Sequence, residues 1–174
     1  MIFSGSQRRL MWHGMLLFLL GLLLGLAEGQ VTNPRMGLAA HLEGLMNGTY
    51  LIALGAIWPF VKLSPKLTTL TFWTVLYGTY SNLIVTTVAA VVGANSMSPI
   101  TGAGHSASAW QEILVSSGFV TVGVTMLVSS VLSCGDCVGT LWLGANAGTP
   151  RDDLNPPFLC YIVSMAFPRT NDPD

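Results

Sequence analysis

His41, Glu43 and Asn47 stand within seven residues of one another in an otherwise apolar stretch, Gly37 to Trp58, GLAAHLEGLMNGTYLIALGAIW. An imidazole can ligate a metal or carry a proton. A carboxylate accepts hydrogen bonds or takes up a proton, and a carboxamide both donates and accepts. Ionisable groups in a spanning helix cost about 2.5–3.5 kcal/mol each on insertion scales, so they mark a functional site by default. The chemistry open to this trio is ligation by His41, proton transfer or gating by Glu43, and orientation of a small polar substrate by Asn47.

The elements that must hold these residues are membrane helices. Only 9% of the 174 residues are charged and 51% are hydrophobic. A soluble domain carries about 25% charged residues, so this chain lacks the material for a water-facing surface. The net charge is −1 and there is no basic stripe, which excludes nucleic acid as a partner. A helix needs about 20 mostly apolar residues to cross the hydrocarbon core. Four segments qualify as expected spans, near Leu10–Ala27, Leu38–Val61, Leu67–Val92 and Glu112–Leu132. A small-residue loop, 93–109, separates the last two, and the fourth is expected to fray through 135–144. The expected fold is an all-α integral membrane four-helix bundle over residues 1–144, with a soluble tail rich in Pro, Asp and Asn over 145–174.

Arg8 and Arg9 before a Leu-rich run imitate a signal peptide, but the exit AEGQVTNP offers no A-x-A site, which predicts an uncleaved first helix. Arg8, Arg9, Lys62, Lys66, Arg151 and Arg169 fall on one side of the expected topology, and Arg35 on the other. Positive charge marks the cytoplasmic side, so both termini are expected there. Cys134 and Cys137 form a C-x-x-C with no second pair or nearby histidine, and Cys160 is alone. A closed zinc site wants four ligands, so these read as ordinary thiols.

Depth sorts the polar residues. Asn47 lies six residues beyond His41, about 9 Å along the axis. Asn82 lies about 15 Å inside the outer end of the third helix, and Thr86 one turn nearer that end. His41, Asn47, Asn82 and Thr86 therefore share the outer half of the membrane. His13, beside Trp12 near the cytoplasmic end, reads as a snorkelling interfacial residue. His105 reads as a solvated loop residue.

On the second helix, His41, Gly44, Gly48 and Gly55 form one stripe, with Glu43, Asn47 and Tyr50 on the opposite side. A histidine above glycines can admit a flat group such as a heme held by one axial ligand. The plainer alternative is a polar residue at the helix start, with glycines that only pack helices. The spacings Gly21-x-x-x-Gly25 and Gly44-x-x-x-Gly48 would let backbones approach closely. The residues by themselves leave both readings open.

The stretches RRLMWHGMLLFLLGLLLGL and NPRMGLAAHLEGLMNGTYLIALGAIWP closely resemble the hydroxylaminobenzene mutases. The wider pattern, His-Gly in the first helix and His-x5-Asn-Gly in the second, resembles the styrene oxide isomerases. The likeness is good through the third helix and loose in the fourth. It implies a homotrimer in a bacterial inner (cytoplasmic) membrane, with heme b between protomers on His41, where the glycine stripe would set Gly44 and Gly48 beside it. It also implies that Asn47 lies next to the substrate. The isomerases add a tyrosine from the third helix; aligning Tyr80–Asn82 with their W-A-N puts Thr86 at that place, leaving Tyr80 or Tyr50 to supply a phenol. The implied catalytic set is Asn47, Asn82, Thr86, Tyr80 and Glu43. The implied reaction converts hydroxylaminobenzene (phenylhydroxylamine) to 2-aminophenol, with heme iron as Lewis acid. The alternatives are an epoxide isomerase of the styrene oxide type, a b-type cytochrome, and a transporter that uses Glu43 as its proton site.

Overall fold

In the computed structural model, the structure describes residues 5–61 and 63–146; for residue 60 and residues 134–146 only the backbone is described. Four long helices run up and down: α1 Gly5–Ala27, α2 Pro34–Ile57, α3 Pro65–Val92 and α4 Ala109–Asn146. Single 3₁₀ turns follow α1 (Glu28–Gln30) and α2 (Trp58–Phe60), and there is no strand among the described residues. The expected tail lies outside the described residues, apart from the end of α4.

α1, α3 and α4 are long and apolar enough to cross a membrane. α2 is not, which corrects the expectation of four self-sufficient spans. It matches α1 in length, but His41, Glu43 and Asn47 lower its apolarity. Protein covers it instead: α2 packs against α1 on one side and α3 on the other. The outward faces of α1, α3 and α4 carry large apolar side chains, among them Leu23, Trp73, Ile84, Val124 and Leu127. Such surfaces suit lipid, and the chain is a membrane protein.

Local signals explain where the helices begin and end. Asn33 caps α2, its Oδ1 accepting from the Arg35 and Met36 amides at 3.1 and 3.3 Å, and Pro34 occupies the first helical position. Both are strong helix-start features, so α2 begins four residues before the expected Leu38. The fully buried Asn33 also donates from its backbone to the Ala90 carbonyl (3.0 Å) and from Nδ2 to the Thr101 carbonyl (2.9 Å). One residue thus ties the start of α2 to the end of α3 and to the loop above them. α3 ends at Gly93, whose φ of +74° is the left-handed conformation that closes a helix.

α1 and α2 meet backbone to backbone. A Cβ on Gly48 would lie 2.7 Å from the Phe18 amide nitrogen, and one on Gly21 would lie 2.8 Å from the Leu45 nitrogen. Below this seam, Leu10, Leu17, Leu51, Val75 and Leu83 form a core shared by α1, α2 and α3. Among the described residues α4 packs on α3 and reaches neither α1 nor α2. The bundle is therefore an open row around α3 rather than a closed ring.

The loop between α3 and α4 is ordered by one carboxylate. Glu112 accepts from the backbone amides of Asn95 (3.0 Å), Ser96 (3.0 Å) and Ala107 (3.3 Å). Glu112→Ala should therefore speed hydrogen exchange at those three amides, with Glu112→Gln intermediate because it keeps one acceptor oxygen. Exchange rates equal to the parent's in both variants would show that the carboxylate does not hold the loop.

Candidate active site

Glu43 and Asn47 are one helical turn apart on α2, a spacing that brings side chains together. Asn82 approaches from α3. Both carboxamides donate to the same carboxylate oxygen: Asn82 Nδ2 to Glu43 Oε2 at 2.5 Å, and Asn47 Nδ2 to it at 3.4 Å. Asn47 is buried, and Glu43 and Asn82 are half-buried. The structure thus brings Asn47 and Asn82 to one level of the bundle, with Glu43 between them. Glu43 hydrogen-bonds within the helix bundle. Thr86 is also buried at this level, but its hydroxyl donates to the Asn82 backbone carbonyl at 2.8 Å. It supports its own helix.

His41 faces the other way, toward α1. Its Nδ1 lies 2.8 Å from the Gly21 carbonyl oxygen. A carbonyl can only accept, so Nδ1 carries a proton, and in the neutral imidazole Nε2 then keeps its lone pair. A Cβ on Gly25 would strike the imidazole ring, so that glycine is the notch that seats it. A backbone carbonyl on one ring nitrogen is the usual way a metal-binding histidine is held with the other nitrogen free.

Gly44 and Gly48 do not line a space beside His41. Any Cβ there would run into the α1 backbone at Gly21, Gly14 and Phe18. The expectation that they make room for a flat group is corrected: close helix packing fills that room. His41 is half-buried, so part of the residue stays accessible to such a group.

Tyr80 is apart from the Glu43 cluster. Its hydroxyl pairs with His13 Nδ1 at 2.9 Å, and the two rings meet edge to face with centroids 5.7 Å apart. His13, half-buried, is thus a hydrogen-bond partner of Tyr80 rather than a side chain reaching outward alone. Depth measured from the outer ends would have found this pair. His13 lies 14 residues before the end of α1 and Tyr80 lies 12 before the end of α3. At 1.5 Å per residue these are about 21 and 18 Å. Tyr50 packs at the edge of the central core. His105 is half-buried rather than solvated, with its Nδ1 buried and unpartnered. The Cys134 and Cys137 side chains and Cys160 lie outside what the structure describes.

Two apolar clefts flank the outer face of α3. One of about 410 Å³ lies against α4 and is lined by Tyr77, Ser81, Val85, Leu114 and Gly118. The other, of about 360 Å³, lies against α1 and is lined by Leu20, Leu24, Leu83 and Thr87. Neither is lined by His41 or Glu43. Among the described residues no three His, Cys, Asp or Glu side chains come together. A metal ion caged by protein ligands alone therefore has no site there, whereas a macrocycle that brings four ligands of its own needs one histidine. His41 fits that requirement.

Comparison with known proteins adds to this geometry. The profile of a family described as styrene oxide isomerase matches residues 6–138. The chain is 42% identical over 127 residues to hydroxylaminobenzene mutase HabB of Ectopseudomonas oleovorans, covering 72% of this chain and 77% of the relative. It is 41% identical over 110 residues to hydroxylaminobenzene mutase HabA of the same organism, covering 63% of this chain and 82% of that one. No solved structure matches.

Proposed function

Since the chain belongs to the styrene oxide isomerase family, we propose that it is a membrane-embedded hydroxylaminobenzene mutase converting phenylhydroxylamine to 2-aminophenol. The observation that carries this reading is the 42% identity with a mutase across most of both chains. The reaction is an isomerisation. The N–O bond breaks, a C–O bond forms at the ortho carbon, and one proton moves from that carbon to nitrogen. No oxidant or reductant is consumed.

We propose heme b as the cofactor, with His41 Nε2 as its protein ligand. When bound, its iron supplies a Lewis acid that weakens the N–O bond. The chain's own part is to hold and to exclude. Gly21 fixes the His41 tautomer. Asn47, buried within reach of Asn82 and Glu43, orients the NH–OH group. Apolar walls keep water from capturing the ring. A heme reaching the accessible part of His41 would border a second copy, in keeping with a homotrimer that shares its cofactors between protomers. We place the protein in the inner membrane of a bacterium with both termini cytoplasmic, the side of Arg8, Arg9 and Lys66.

The test is turnover of phenylhydroxylamine by purified protein with no electron donor present. Stoichiometric 2-aminophenol is expected. A protein that binds heme but gives no product would be a cytochrome, and one that isomerises only styrene oxide would be an epoxide isomerase. Asn47→Ala should lower turnover by about tenfold or more, a loss of roughly 1.4 kcal/mol or more in the transition state, with the heme absorbance retained. Equal turnover would remove Asn47 from the site.

A further inference from the structure

A carboxamide has an acceptor end and a donor end, and the two are interchangeable by a half-turn about its last torsion, which is broad and roughly two-fold. Which end faces a substrate must therefore be set by something else. Here both NH₂ groups turn to one oxygen, Glu43 Oε2. An ionised carboxylate only accepts, so it admits the NH₂ end and rejects the carbonyl end. The remaining ends, Asn47 Oδ1 and Asn82 Oδ1, accept no hydrogen bond among the described residues, and neither is a sealed, unsatisfied atom. They are free acceptors, one from α2 and one from α3, on either side of the carboxylate.

We propose that Glu43 is a positioning residue that fixes the polarity of this site as a pair of acceptors and thereby selects substrates carrying hydrogen-bond donors. The inference rests on the mutase reading and deepens it. An arylhydroxylamine carries an N–H and an O–H on adjacent atoms, which suits two acceptors. An epoxide oxygen can only accept, so it cannot pair with either Oδ1. A site built to pair with a donor rejects an analogue lacking it, because its own buried polar groups are then left unmatched. Without Glu43, each carboxamide is free to flip and the preference is lost, whatever happens at His41 on the opposite side of α2.

The experiment compares two ligands of one skeleton. Phenylhydroxylamine has both donors; N,O-dimethyl-N-phenylhydroxylamine has none. KM for the first and the inhibition constant of the second are measured on the full-length protein with heme bound, in the parent, Glu43→Gln and Glu43→Leu. In the parent, the dimethylated compound should bind at least about tenfold more weakly, the equivalent of one neutral hydrogen bond. In Glu43→Leu that ratio should fall toward one with the heme spectrum unchanged. Glu43→Gln keeps the shape of the side chain but can also donate, so it should fall between; this variant decides the matter if Glu43→Leu does not fold. A discrimination ratio equal to the parent's in folded Glu43→Gln would overturn the proposal, and so would a parent that binds both compounds equally. Failure of the mutase reading looks different: the parent itself would form no 2-aminophenol.

Discussion

His41→Ala is expected to abolish both the Soret absorbance of the purified protein and its conversion of phenylhydroxylamine. The reason is geometric. Among the described histidines, His13 Nδ1 is engaged by the Tyr80 hydroxyl, which can donate or accept, and His105 has a buried, unpartnered Nδ1, while His41 alone is held through Nδ1 by a backbone carbonyl, which can only accept. Losing the proposed protein ligand should remove the proposed heme, and with it any Lewis-acid contribution to N–O cleavage. Activity should drop to the detection limit, whereas His105→Ala should leave the spectrum intact. A purified protein without heme that still makes 2-aminophenol would sink the assignment. So would a His41→Ala variant with an undiminished Soret band.

Gly48→Val should have the second largest effect, and on assembly rather than on chemistry. The added Cβ would sit 2.7 Å from the Phe18 nitrogen and 2.8 Å from the Gly14 oxygen. Both are backbone atoms, so no side chain can swing aside and α1 must move off α2. Overpacking costs typically about 1–3 kcal/mol where side chains can yield, and this site offers none that can. Most of the variant should aggregate on detergent extraction, and the remainder should melt well below the parent. Gly123→Ala on α4 is the control. Nothing lies within 4 Å of its added methyl, so it should melt at or above the parent temperature. Equal melting of Gly48→Val and the parent would mean that the seam is looser than its geometry requires.

Much of this arrangement was legible in the sequence, and the exceptions have physical causes. Spans of the right length, the glycine spacings in α1 and α2, and the side of α2 shared by Glu43 and Asn47 all follow from composition and helical period. The start of α2 was misread because Asn33-Pro34 is both a turn signal and a helix cap with its first-turn proline. His13 was placed too shallow because α1 begins at Gly5 rather than Leu10, which puts it eight residues inside the helix instead of three. The role of Gly44 and Gly48 could be narrowed to two candidates, and only the position of α1 separates them. Helices that are apolar on every face carry no stripe to show which neighbour each face meets. That is why the one-sided packing of α4 on α3 was not readable beforehand, whereas the pairing of His13 with Tyr80 was open to an argument from depth.

The contact between His41 and Gly21 lies wholly within a hairpin of the first 57 residues. Its glycine seam needs no side chain from α3 or α4. Chains emerge from the ribosome N-terminus first and their units fold in that order. His41, the proposed heme ligand, can therefore be aimed while the later helices are still being made. Asn82 arrives only with α3, so the substrate-orienting half of the site is completed last. On the proposed assignment, the residue that would hold the heme is oriented before the residues that would orient the substrate are complete.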